Sequence, residues 1–407
     1  MFPPQGIGGI GAVTVTGKRS NTVIVAAYNS LDKSRADYVC DGIDDQETIN
    51  SAILAISSTG GTVLLLEGTY IITGSINLVS NIALVGQGRG TILKLAENLT
   101  GTFHVIYGSE VSGIIISNLK IDGVSAEPNA YIKGIYLDKV TNSKVSTCWF
   151  EGGEMYRMTG VDLYYCNNNI IEGNVFYNNG LCISLDNSTH NTIANNIILG
   201  GNGGIALHNS EKNTIVGNIS KYSPEGIHIE DSKNNIIIGN VLQNPSSGIM
   251  ILASEKNTIV GNICQECTVG IEMHTSTNNI IEANIIQRNS DGVFLDSNCD
   301  KNAIVSNMIQ DNVVGIHLAR YCNHNIVTGN SLLDNKTGVL LESACSFNLI
   351  SNNIAKFNAD YGIRIESSDC ENNVVHGNDL YQNGTDFYDE GTDTIYHNNR
   401  TTQGWEP

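Results

Sequence analysis

Between residues 134 and 383 the sequence repeats itself about every 22 residues, and this period constrains the fold more than any other feature. The motif Gly-(Ile/Val)-x-(Leu/Ile/Met) begins at Gly134, Gly160, Gly204, Gly226 and onward to Gly362, with Cys182 standing in the slot of the missing glycine. A second motif, Asn-x-(Ile/Val/Leu)-x-x-Asn, keeps step with it. Its first member runs from Asn169 and Asn191 to Asn373, and its second from Asn174 and Asn196 to Asn378. Within a unit the apolar positions alternate with period two, and each short run stops at Gly or Asn. That pattern describes strands and tight turns, not helices. Three short strands make one coil, and stacked coils pair in parallel about 4.8 Å apart, so equivalent residues form ladders. Asn ladders at the corners would hydrogen-bond from rung to rung and satisfy backbone groups that burial would otherwise orphan. The expected fold is an all-β solenoid.

The ends of a solenoid expose core and strand edges, so the flanks should cap it. Asp44-Asp45 precedes Ile49, Ala52, Ile53 and Ile56 at helical spacing, which predicts an N-capped amphipathic helix over the first coil. The expected organisation is a strand, loop and capping helix over 1–60, the solenoid over 61–383 and a C-terminal cap over 384–407.

Gly (42 residues) and Asn are abundant while only 15% of residues are charged, which suits many turns in left-handed backbone. The formal net charge of −19 excludes nucleic acid as a partner, because a phosphate backbone needs a basic stripe. It also disfavours polyanionic glycans unless Ca²⁺ bridges them; Ca²⁺ is the one cofactor left open, and none is otherwise implied. No apolar run has the length of a membrane span. Met1-Phe-Pro-Pro-Gln-Gly carries no basic or apolar leader, so the expectation is either a processed secretory chain or one that travels in a virion.

Asp41-Gly-Ile-Asp-Asp-Gln-Glu-Thr-Ile-Asn, Gly60-Gly-Thr-Val-Leu-Leu-Leu-Glu-Gly-Thr-Tyr and Val85-Gly-Gln-Gly together resemble the N-terminal module of pectate-lyase-like β-helix proteins. The 22-residue coils resemble NosD-type β-helix repeats. The resemblance implies a right-handed parallel β-helix of the kind found in glycoside hydrolases, polysaccharide lyases, epimerases and phage tailspikes. It further implies polysaccharide as partner, an extracellular, cell-surface or virion location, and side-by-side homotrimers as one form of assembly. The family's catalytic sets do not carry over. The Asp-Pro-His motif of mannuronan epimerases is absent, Asp44-Asp45 belongs to the helix, and Arg364-Ile365-Glu366 is a poor echo of Arg-Ile-Lys.

In Gly-Ile-x-Leu-x the Ile and Leu face inward, so residues two and four after Gly face outward on one sheet. Read this way, Asp162, Tyr164, Asp186, His208, His228 and Glu230 share a patch on neighbouring coils. Asp186 and Glu230 lie two rungs apart, roughly 9.6 Å. That separation suits the acid and base of an inverting glycosidase, with His208 and His228 tuning them or acting as bases. The insertion carrying Glu154, Tyr156 and Arg157 would wall the patch, with Tyr156, Arg157 and Tyr164 contacting substrate. The plain alternative is a solvated polar face. A second patch, Glu272, His274, Asp296 and His317, has metal-ligand chemistry but no converging loop, so no metal is assigned. The cysteines alternate with Ser188, Ser210, Ser232, Ser254 and Ser276 at one small inward slot, which predicts buried free thiols. The expected activity is hydrolysis of glycosidic bonds ahead of elimination or epimerisation, since Lys and Arg are scarce on the mapped columns. The alternative is a non-catalytic carbohydrate-binding or tail-fibre rod.

Overall fold

The computed structural model describes residues 21–97, 99, 101–123, 130–152 and 158–405. The chain winds as a right-handed parallel β-helix. Its strands stack into sheets of 17, 13 and 14 members, and a two-stranded antiparallel piece, Arg400–Thr401 with Gly404–Trp405, ends it. The 14-stranded sheet runs from Ile76–Asn77 to Thr385–Asp389 and carries the Gly-(Ile/Val)-x-(Leu/Ile/Met) motif on its central rungs, with Cys182 replacing the glycine on one of them.

Each coil forms because its sequence alternates. In Glu225–Glu230 the residues Gly226, Ile227 and Ile229 are buried, while Glu225, His228 and Glu230 are partly exposed. Their equivalents pair one above another: Asp186 with His208, His208 with Glu230, Glu230 with Leu252. The inward columns fuse into one continuous core from Val25 to Leu380, with Phe150 and Phe176 stacked 4.7 Å apart inside it.

The Asn ladders are the corner device. Asn240 donates Nδ2–H to Ile215 O (3.0 Å), Ile238 O (3.2 Å) and Asn262 Oδ1 (2.9 Å). Its own Oδ1 accepts the backbone N–H and the Nδ2–H of Asn218, at 2.9 and 3.0 Å. The same pattern repeats along the Asn169 ladder and along a third one, Asn289 to Asn383, in the later coils. Ser and Cys form a fourth ladder, as in Ser210 N–H to Ser232 Oγ at 2.9 Å. All ten cysteines are free and buried. Burial pushes Cys148, Cys166 and Cys267 up to about 12, whereas a hydrogen bond with Cys322 draws Cys299 down.

The helix Asp45–Ala55 covers the first coil, burying Ile49, Ala52 and Ile53. Asp44 does not cap it as expected. Its backbone is left-handed (φ 52°), which turns the carboxylate away from the helix N–H groups and onto the Thr73 hydroxyl. Asp45, one residue on, accepts from Gly42 N–H (2.9 Å) and Ile71 N–H (2.7 Å), pinning the helix to the strand Gly68–Ile72. At the far end Phe387 and Tyr396 stack 4.3 Å apart on the last core layer.

Candidate functional site

The outer face of the 14-stranded sheet carries the carboxylates, imidazoles and phenols picked out from the repeat. His208 and Glu230 lie on adjacent rungs with Nδ1 and Oε2 3.0 Å apart, both about one-third exposed. Asp186 occupies the rung before His208, and its Oδ1 accepts from the Asn187 amide at 2.7 Å. Thus Asp186, His208 and Glu230 form one file. His228 stands in the neighbouring column, its ring 5.6 Å from that of His208, but its Nδ1 is bound to Glu225 Oε2 at 2.8 Å and its Nε2 is buried without a partner. Asp162 is held away from the file by Lys133, whose Nζ is 2.8 Å from Oδ2. Tyr164 pairs with Asp186 across the rungs and meets Tyr165 edge-on. Glu154, Tyr156 and Arg157 lie outside the described residues.

Glu225 and Lys133 were not found from the sequence, and one signal would have found both. Each is the residue immediately before the repeat glycine, which forms a third outward column. Its members bind the residues two after that glycine on their own or an adjacent coil: Lys133 to Asp162, Glu225 to His228, Ser247 to Glu272, and Asp291 to His317 at 3.2 Å. Near Lys133 the face turns aromatic. Lys133 sits 3.9 Å over the Tyr136 ring, Tyr107 stacks against Tyr136 at 5.8 Å, and His104 lies 4.5 Å from it.

The second patch is a closed chain of bonds. Glu272 Oε1 meets His274 Nε2 at 2.8 Å, His274 Nδ1 lies 3.3 Å from Asp296, and Arg320 Nε donates to Asp296 Oδ1 at 2.5 Å. Asp296 is only 1% exposed, so its charge requires the guanidinium. His317 joins Asp291 instead, with Glu342 3.5 Å from its other nitrogen. Among the described residues no three His, Cys, Asp or Glu side chains are set to hold a metal ion.

These pairs fix protonation. The hydrogen bond from Glu225 raises His228, and that from Glu272 raises His274. Burial opposes charge on His317, but Asp291 outweighs it and its pKa is raised too. Reciprocally, His228 lowers Glu225 and His274 lowers Glu272. Burial works to raise Asp296, yet Arg320 holds it below the usual carboxylate range. A histidine raised on folding contributes stability that is complete below its unfolded pKa of about 6.5 and is lost as pH climbs through the folded value. The lowered carboxylates contribute stability above about pH 4 that is lost as pH falls through their folded values. The melting temperature is therefore expected to peak between these limits and to decline toward alkaline pH, with His274→Gln flattening that decline. A melting temperature that rises from pH 6.5 to 8.5 in the unaltered protein would contradict this.

A family model described as periplasmic copper-binding protein (NosD) matches residues 98–223 and 200–344, and one described as right handed beta helix region matches 301–401. Among curated proteins, mannuronan C5-epimerase AlgE1 of Azotobacter vinelandii is 34% identical over 108 residues, which are 23% of this chain and 8% of that protein. Mannuronan C5-epimerase AlgE5 of the same organism is 29% identical over 181 residues, 34% of this chain and 18% of that protein. The chain thus spans less than a fifth of the curated relatives it matches. Among solved structures, the A-module of mannuronan C-5 epimerase AlgE6 from Azotobacter vinelandii superposes with a TM-score of 0.56 at 19% identity, covering 89% of this chain and 96% of the module. The tailspike of E. coli bacteriophage HK620, in complex with pentasaccharide, gives 0.64 at 13% identity, covering 87% and 75%. At these identities the superpositions show the fold.

Proposed function

We propose, for a chain that belongs to the family described as periplasmic copper-binding protein (NosD), a polysaccharide-active β-helix that works outside the cytoplasm. The donor set does not fit copper. The cysteines are buried in backbone-bonded ladders, His208, His228, His274 and His317 are each tied to a carboxylate, His376 and His397 bond each other, and no three ligands converge among the described residues. No step is therefore routed through a metal.

The single observation that carries the reading is the file Asp186–His208–Glu230. It sets two carboxylates about two rungs, roughly 9.6 Å, apart on an accessible sheet face with an imidazole bonded to one of them. This is near the separation that leaves room for a water between an acid and a base acting on opposite sides of a sugar ring. His208 can pass a proton to or from Glu230 through their shared hydrogen bond. Tyr107, Tyr136 and Tyr164, on coils toward the N-terminus, offer flat ring faces on which pyranose rings can lie. With ten carboxylates along this face, from Asp138 to Glu366, against few cations, a neutral polysaccharide is favoured over a polyuronate. The named relatives support saccharide as the ligand class: one group acts on mannuronan by name, and the HK620 tailspike is seen with a pentasaccharide.

One observation favours a second reading. His208, His228, His274 and His317 each have a carboxylate partner within 3.2 Å, as expected of a stable binding rod. Turnover separates the two. Asp186→Asn and Glu230→Gln are each expected to cut hydrolysis by about 10²–10⁴-fold while leaving thermal stability near that of the parent, both side chains being partly exposed. Full activity in both variants would sink the assignment, and saccharide binding without any hydrolysis by the parent would leave the rod.

A further inference from the structure

The face of the 17-stranded sheet differs from that of the 14-stranded one in a way the saccharide reading does not use. On nine consecutive rungs, from Thr192–Ala194 to Val374–His376, each strand has one inward residue between two outward ones, of which Ala194 and Ser351 are covered. Of these eighteen outward positions, Glu282 alone is an acid or base apart from His376. The others are aliphatic, Thr or Ser, and Ile236, Ile238, Ile280 and Ile326 are 37–44% exposed. Around the corner marked by the Asn174 ladder, the first outward column of the 13-stranded sheet continues the apolar surface, with Ile285 at 36% and Met308 at 47%. Parallel pairing without a bulge keeps the rows in register. A stretch of nine rungs is about 40 Å long, and a three-residue strand is about 10 Å wide. With the adjoining column, the strip covers on the order of 600 Å², so two copies would bury about 1,200 Å² together, the lower end of a stable interface.

We propose that copies of this chain associate side by side through this strip. Charge and spacing select the occupant. The formal net charge is −19, so two copies repel over most of their surface, and this face, with Glu282 as its one acid, is where they can meet with the least apposition of like charges. A basic partner would be drawn to the acidic faces instead. A second copy also carries the same rung spacing and the same strip, so rows of β-branched side chains can interdigitate along its length. A surface this large, apolar and continuous is uncommon on a monomer.

The test is sedimentation velocity on the full chain at micromolar concentration, at low and high salt, beside the double variant Ile236→Glu, Ile280→Glu. The parent is expected to sediment as a dimer or trimer that tightens with salt, because screening removes the residual repulsion and leaves the apolar contact. The variant places like charges opposite each other, so association should weaken by about a hundred-fold or more. Both altered side chains are exposed, so an unchanged circular dichroism spectrum and melting temperature confirm that folding is intact. A parent that stays monomeric at both salts overturns the proposal. An association that the variant leaves untouched overturns it equally.

Discussion

Asn240→Ala is expected to lower the unfolding free energy by about 3–5 kcal/mol, a loss normally seen on emptying a large core site. The side chain fills almost no apolar volume, so the effect comes from polarity. Its carboxamide closes five hydrogen bonds at a fully buried corner. Alanine would orphan the Asn218 backbone N–H and one amide hydrogen of Asn218, and remove the donor to Ile215 O, where no water reaches. Each unpaired buried group costs about 1–3 kcal/mol. Asn244, four residues on, is exposed with φ 62°, so Asn244→Gly should change stability by less than about 0.5 kcal/mol. Chemical denaturation of the two variants makes the comparison. Equal midpoints would mean that the ladder is decoration and that the core alone holds the coils.

Gly248→Val is expected to do comparable damage by the opposite route. The glycine is not needed for an unusual dihedral; it is needed because a Cβ there would lie 2.4 Å from Gly270 O and 3.1 Å from Cys264 Sγ. The coils would have to spread, and the spread would be felt along the column, since the same closeness recurs at Gly226, where a Cβ would meet Gly248 O at 2.6 Å. A loss of about 3 kcal/mol, the upper part of the range for overpacking, is expected, with slowed folding and aggregation during expression. At Cys182 the chain does carry a side chain in this slot. There the following coil offers the Gly203-Gly204 pair, to which Cys182 and Ile183 donate at 3.2 and 3.1 Å. A Gly248→Val protein as stable as the parent would show that the column tolerates bulk anywhere.

The fold was legible because a parallel solenoid writes its geometry into a period. Once Asn169 and Asn191 are 22 apart and the pattern between them alternates, inward and outward columns follow, and the register of Asp186, His208 and Glu230 agrees with that reading. The cap expected of Asp44 does not form, because residue type marks a helix start in the sequence while φ does not. Left-handed Asp44 gave its carboxylate to Thr73, a contact 29 residues away. At the site the columns showed which side chains share a face but not which pairs form. The bonds of Glu225 and Lys133 depend on the residue before each glycine, a position that looks like turn sequence until the strand is seen to include it. Arg320, which holds Asp296, occupies the left-handed slot five residues after the repeat glycine, where other coils carry Asn209, Asp231 or Ala253, so the period marks the turn but not the guanidinium placed there.

The accessible face around Asp186, His208 and Glu230 is proposed to cleave polysaccharide. The direct measurement is incubation with a panel of neutral and acidic polysaccharides, with and without Ca²⁺, followed by reducing-end determination and absorbance at the ultraviolet wavelength of unsaturated uronates. Hydrolysis at this face would give new reducing ends from a neutral polysaccharide, no rise in absorbance, and loss of the signal in Glu230→Gln. Rising absorbance would replace hydrolysis with elimination, and silence in both assays across the panel would contradict cleavage, leaving a binding rod if the protein is retained on a polysaccharide and overturning the saccharide reading altogether if it is not.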